Sequence, residues 1–162
     1  MNAESLTESK PSPRVPRWLV RTIWFLHRRA YALTGGRFGL RPPADRQWGM
    51  LRLESLGRRS GRTRLAILGY ILDGQNVVVP AMNGWADSEP AWWLNLQANP
   101  DARIELPGGD RRQVVARAAV AEERSRLWRG LVDLGSSAYT DANAATRSRE
   151  TAIVVLEPAP GG

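Results

Sequence analysis

Nine consecutive residues, Leu56-Gly57-Arg58-Arg59-Ser60-Gly61-Arg62-Thr63-Arg64, bring four arginines, one serine and two glycines together. Guanidinium forks pair with the oxygens of phosphates and carboxylates, often two at a time. The glycines tolerate the positive φ that tight turns demand. A turn of this kind can also aim successive backbone N–H groups into a concavity that binds an anion. It is not a Walker A loop, because the G-x-x-x-x-G-K-[ST] spacing and its lysine are missing. A solvated hairpin turn in an arginine-rich chain would have the same composition, so the stretch fixes a geometry before it fixes a ligand.

Other chemistries are excluded by composition. The 162 residues contain no cysteine and one histidine, His27. That removes disulfides, thiolate metal sites and cysteine nucleophiles, and argues against a histidine metal site or a Ser-His-Asp triad. Freedom from thiols fits a cytoplasmic protein. Charge is distributed unevenly: residues 1–64 carry a net +10 and residues 65–162 a net −3. A basic first third implies an anionic small ligand, an anionic membrane surface or nucleic acid. No nucleic-acid reader motif accompanies the pI of 11.1, and the acidic remainder would repel a phosphate backbone, so no nucleic acid is expected.

The elements that must hold the arginine turn can be read outward from it. Strand-like runs flank it, Trp48 to Leu56 and Leu65 to Leu72. Asp73-Gly74 predicts a hairpin into a third strand, Asn76 to Ala81, closed by an Asn83-Gly84 turn. Asp87 or Ser88 is placed to cap a short helix with Pro90 in its first turn, running through Trp92, Trp93 and Leu96 and stopped by Pro100. Ala102 to Leu106 and Arg111 to Val120 predict another hairpin. Ala121 to Leu134 predicts an amphipathic helix with Leu127, Leu131 and Leu134 on its apolar side, and Thr151 to Leu156 the last strand. Six short strands joined mostly by hairpins predict a small α+β barrel, mainly antiparallel, rather than a doubly wound sheet.

Before the barrel, residues 1–13 are polar, lack the apolar core of a signal peptide and are expected to be disordered. Residues 14–36 predict an amphipathic helix. Leu19, Ile23, Leu26, Ala30 and Leu33 share one face, while Arg14, Arg17, Arg21 and Arg28 gather opposite them beside aromatic residues. Such a helix suits either the surface of an anionic membrane or packing on the domain. The organisation expected is therefore tail 1–13, helix 14–36 and barrel 44–158.

Three segments together resemble a known family. They are Leu53 to Arg64, Pro90-Ala91-Trp92-Trp93-Leu94-Asn95-Leu96-Gln97-Ala98-Asn99-Pro100, and Arg149 to Pro158. In that order they resemble the deazaflavin-dependent nitroreductases, also described as F420H2-dependent quinone reductases. The resemblance runs from about Trp18 to Pro158.

It implies a split β-barrel of the flavin-binding type, with coenzyme F420 as cofactor and FMN as the alternative. It also implies hydride delivery from the reduced coenzyme to a small-molecule acceptor: a quinone, a nitro compound or an enone. Arg58, Arg59, Ser60, Gly61, Arg64 and Leu65 would hold the coenzyme phosphate. Pro80, Ala81, Met82 and Asn83 would lie along the ring and offer backbone hydrogen bonds. Ala91, Trp92, Trp93 and Asn95 would form the adjoining wall, with one tryptophan of the pair packed inward and the other lining a pocket. The chain departs from the family where Met82 stands for a serine, where Trp85 stands for a glycine, and where only Tyr139 remains of several tyrosines before the last strand. Tyr139 is thus the one candidate catalytic proton donor. A protein that binds F420 or a flavin without turnover would share most of these features. Location is expected to be cytoplasmic, with peripheral contact to the inner face of the membrane through the basic helix.

Overall fold

The computed structural model describes residues 39–82, 88–135 and 150–160, which belong to a compact unit running from Gly39 to Gly162. The expected tail and the helix 14–36 lie outside the described residues, as do Asn83, Trp85 and Tyr139.

The predicted barrel is present. Strands β1 (Gly49–Leu56), β2 (Thr63–Asp73) and β3 (Asn76–Pro80) precede helix α1 (Ala91–Ala98). Strands β4 (Asp101–Glu105) and β5 (Arg111–Ala118), helix α2 (Ala121–Leu134) and β6 (Ile153–Pro158) follow. All neighbours are antiparallel, and the ring closes in the order β1-β2-β3-β6-β5-β4. The last strand begins two residues later than Thr151 and continues through Glu157 and Pro158 to the end of its ladder with β5.

Alternation sorts the strands into an inside and an outside. Leu51, Leu53, Tyr70, Val77, Val79, Ile104, Val114, Val154 and Leu156 point inward and form one buried cluster with α1. On the other face of β2, β3 and β6, Ile71, Val78, Ile153 and Val155 meet Leu127 and Leu131 of α2. Strands β3 and β6 are therefore covered on both faces, which explains their unbroken Val/Ile/Leu runs. The apolar side read for α2 is the buried one. Leu134 and Trp128 pack at its edge, and Trp48 donates its indole N–H to the Leu131 carbonyl at 2.8 Å.

Ion pairs fasten the rim of α2. Arg126 forks both oxygens of Asp73 at 2.7 and 2.9 Å, and Arg117 bridges Glu123 and Glu157. Hydrogen bonds from these guanidinium groups hold the Asp73 and Glu123 carboxyls below the usual range.

Helix α1 starts differently from expectation. Its N-cap is Pro90, with no side-chain cap hydrogen bond, rather than Ser88; Asp87, the other expected cap, lies outside the described residues. Proline has the fixed φ that suits a helix start, and its carbonyl accepts from Trp93 N at 3.1 Å and Leu94 N at 3.2 Å.

Candidate functional site

Register places the sequence-predicted residues at one end of the barrel. Strand β1 reaches that end at Leu56, paired with Thr63, and the arginine turn joins the two strands there. Strand β3 arrives at the same end through Pro80, paired with Ile153, and β4 departs from it at Asp101, opposite Val115. Helix α1, between β3 and β4 in the chain, lies over this mouth and contributes Trp92, Trp93 and Leu96 to the inner core.

The turn itself is tightly bonded. The Gly57 carbonyl accepts from Ser60 N at 3.1 Å and Gly61 N at 2.8 Å, and Gly57 N donates to the Arg62 carbonyl at 2.9 Å. Gly61 takes φ of +62°, a left-handed conformation that favours glycine. Arg62 N and Arg64 NH2 both point to Ser60 Oγ, at 3.4 and 3.3 Å, and Arg58 N donates to Asn95 Oδ1 at 3.2 Å. The concavity of backbone N–H groups anticipated from the sequence is therefore not formed. Between Gly57 and Arg62, only the Arg59 amide is left without an acceptor among the described residues. Anion recognition falls to side chains instead. Arg58, Arg59, Arg62 and Arg64 are all exposed, and none pairs with a carboxylate among the described residues. Elsewhere on the barrel, Arg52, Arg117, Arg124 and Arg126 each have an acidic partner. Four arginines without a carboxylate partner among the described residues, one of them on the Ser60 hydroxyl, fit a phosphate-bearing group.

Leu65, the next residue along, stands exposed at 59%. Across the mouth, Pro80 and Ala81 are buried and Met82 is half-buried. The backbone donors of this stretch are committed internally: Ala81 N to the Ala152 carbonyl and Met82 N to that of Pro80, both at 2.8 Å. On α1, Ala91 is exposed, whereas Trp92, Trp93 and Asn95 are buried. Burial does not separate the tryptophan pair. Both rings sit in the inner core, 6.3 Å apart and tilted by 58°, because α1 lies across the mouth and turns a broad face inward. The Trp93 indole N–H is buried without a hydrogen-bond partner among the described residues.

The link between Asn95 and Arg58 was invisible in the sequence. Asn95 Oδ1 accepts from both the backbone N and NH1 of Arg58, 37 residues away, at 3.2 and 3.3 Å. An asparagine in a mostly apolar helix was the available signal, and it did not name a partner.

Comparison with known proteins decides the family. The family model described as F420H(2)-dependent quinone reductase matches residues 24–158. The chain belongs to this family. It is an F420H2-dependent reductase, and F420 is its coenzyme. Among its relatives, an F420H(2)-dependent quinone reductase of Mycobacterium tuberculosis H37Rv is 32% identical over 148 residues, covering 88% of this chain and 97% of the relative. Another protein of the same strain, also named for F420H(2)-dependent quinone reduction, is 41% identical over 106 residues, 65% of this chain and 85% of that one. In fold, the chain resembles a solved F420-H2 dependent reductase with a TM-score of 0.60 and 22% identity, over 74% of this chain and all of that one. No group of three or more metal-ligating side chains occurs among the described residues. No helix among them is long and apolar enough to cross a membrane.

Proposed function

We propose that the arginine turn binds the phosphate of F420 and that a quinone-like acceptor is reduced beside α1. The observation that carries this reading is the set of four exposed arginines in the turn, none with a carboxylate partner among the described residues and one of them, Arg64, bonded to the Ser60 hydroxyl. Arg58, Arg59, Ser60, Gly61, Arg64 and Leu65 would hold the phosphate end. Pro80, Ala81, Met82 and Asn83 would flank the ring, with Ala91, Trp92, Trp93 and Asn95 as the wall.

Bound F420H2 supplies the hydride, so the protein needs neither nucleophile nor metal. What this chain's residues supply is charge neutralisation, orientation and exclusion of water. The committed amides of Ala81 and Met82 leave these two residues to contribute through carbonyl oxygens and the Met82 thioether. Nitro compounds and enones are electron-poor in the same sense as quinones and belong to the proposed acceptor class. The basic segment 14–36 is proposed to bring the enzyme to an anionic membrane, where apolar quinones dissolve; salt-sensitive binding of the full chain to anionic vesicles tests that contact.

Fluorescence titration with oxidised F420 tests the phosphate site. Charge-assisted contacts are worth about 1.5–3 kcal/mol each, so Arg59→Ala and Arg64→Ala should each weaken binding roughly ten- to a hundredfold. Normal affinity in both would remove the turn from the site. Transfer of label from F420H2 deuterated at C5 into the reduced quinone tests the chemistry; label found only in water would exclude direct hydride transfer.

A further inference from the structure

We infer that Asn95 is a positioning residue that acts through Arg58, so that the coenzyme's affinity depends on a side chain that need not touch it. This inference rests on the reading of the turn as a phosphate site, and it gives Asn95 a different role from the wall contact proposed above.

Three observations converge on it. Asn95 is only 5% exposed, and its side-chain carbonyl is spent on Arg58, accepting from the backbone N–H at 3.2 Å and from NH1 at 3.3 Å. The Arg58 amide is otherwise unpaired, because the internal bonds of the turn run between Gly57, Ser60, Gly61 and Arg62. Among the described residues, no other side chain outside the turn bonds to it, so this is its sole side-chain tether to α1. One acceptor thus fixes both ends of Arg58. It sets the peptide plane from which the guanidinium rises and one of the terminal nitrogens of the fork. The remaining terminal nitrogen and Nε stay available to an anion, already oriented.

A guanidinium on a free side chain must give up most of its rotamer freedom when it grips a phosphate. Arg58 has surrendered part of that freedom before the ligand arrives, whereas Arg59 and Arg62, which have no side-chain bond among the described residues, have not. The tether also runs from the turn directly to the helix that carries Trp92 and Trp93 over the barrel mouth. Phosphate binding and placement of that wall are therefore coupled through a single amide oxygen.

A double-mutant cycle on the full-length protein tests the inference, with oxidised F420 as ligand and steady-state quinone reduction as second readout. Asn95→Ala should raise the F420 Kd about tenfold, the scale of a lost charge-assisted bond, and raise the KM for F420H2 more than it lowers kcat. In the background of Arg58→Ala, which keeps the backbone N–H bond to Asn95 but removes the guanidinium, the same change should cost much less than tenfold. Asn95→Leu, which refills the volume without an acceptor, should reproduce Asn95→Ala and guards against a collapsed cavity as the cause. Additive effects of the two mutations would mean that Asn95 contacts the coenzyme on its own, and would overturn the inference. So would unchanged affinity in both Asn95 variants, or a loss of kcat that matches a loss of thermal stability. If Arg59→Ala and Arg64→Ala weaken binding while Asn95 changes do not, only this inference fails. If none of the four matters, the phosphate site itself is wrong.

Discussion

Gly57→Ala is a single-methyl test of whether the turn must be built as it is. Gly57 is buried, and its carbonyl and amide organise the loop. A Cβ there would lie 2.9 Å from Ser60 Oγ, 3.0 Å from the Arg62 carbonyl oxygen and 3.2 Å from Arg64 Cγ. The hydroxyl and the Arg64 stem can swing away, but the carbonyl is backbone and accepts the Gly57 amide, so it cannot retreat without breaking that bond. Overpacking of this kind costs about 1–3 kcal/mol. The relaxation it forces also takes Ser60 Oγ away from Arg64 and from the Arg62 amide, so F420 affinity should fall together with stability. Gly61→Ala is the comparison. Nothing lies within 4 Å of a Cβ at Gly61, and its only penalty is the left-handed backbone, about 1 kcal/mol. Urea denaturation and F420 titration of both variants separate the cases. Stability should fall in both, but the loss of affinity should be several-fold larger at Gly57. Equal affinity in the two variants would refute the idea that the turn's internal geometry sets the anion site.

Three further outcomes are expected. Trp93→Phe removes a buried donor without a partner, a relief of about 1–3 kcal/mol that offsets the lost ring area, so urea unfolding should register a net cost below about 1 kcal/mol. Asp73 and Glu123 have folded-state pKa values below their unfolded ones, so their contribution is full above the ordinary carboxylate range and disappears as pH falls through the lowered values. Thermal melts from neutral to acid pH should accordingly decline less steeply in Asp73→Asn and Glu123→Gln than in the parent. Tyr139→Phe should slow quinone reduction only modestly, short of the roughly 10²–10⁴-fold expected for a positioned general acid, and a larger loss in stopped-flow single turnovers would make Tyr139 that acid.

Local signals carried most of the fold. Asp73-Gly74 is a hairpin with Gly74 at positive φ, Pro100 ends α1, and the Leu127/Leu131 face of α2 is buried, as the spacing required. Each of these depends on residues within a few positions of one another. What the sequence withheld was long-range or competitive. The turn's amides could have faced a ligand or one another, and the Gly57 carbonyl won two of them. Asn95 and Arg58 meet only because the barrel brings its mouth together. The two tryptophans share one core because α1 lies flat over that mouth, an orientation that periodicity within eight residues cannot encode.

Strand β2 changes partners midway. Its first eight residues, Thr63–Tyr70, pair with β1, and only Ile71, Leu72 and Asp73 pair with β3. The cylinder therefore has a strong seam and a weak one. Breathing motions should start where three pairings hold two strands together, and amide exchange should be fastest there. The arginine turn closes the eight-pair ladder, on the stiffest part of the wall. A loop with four like charges side by side repels itself, and the long ladder beneath it keeps it from fraying when no anion is bound.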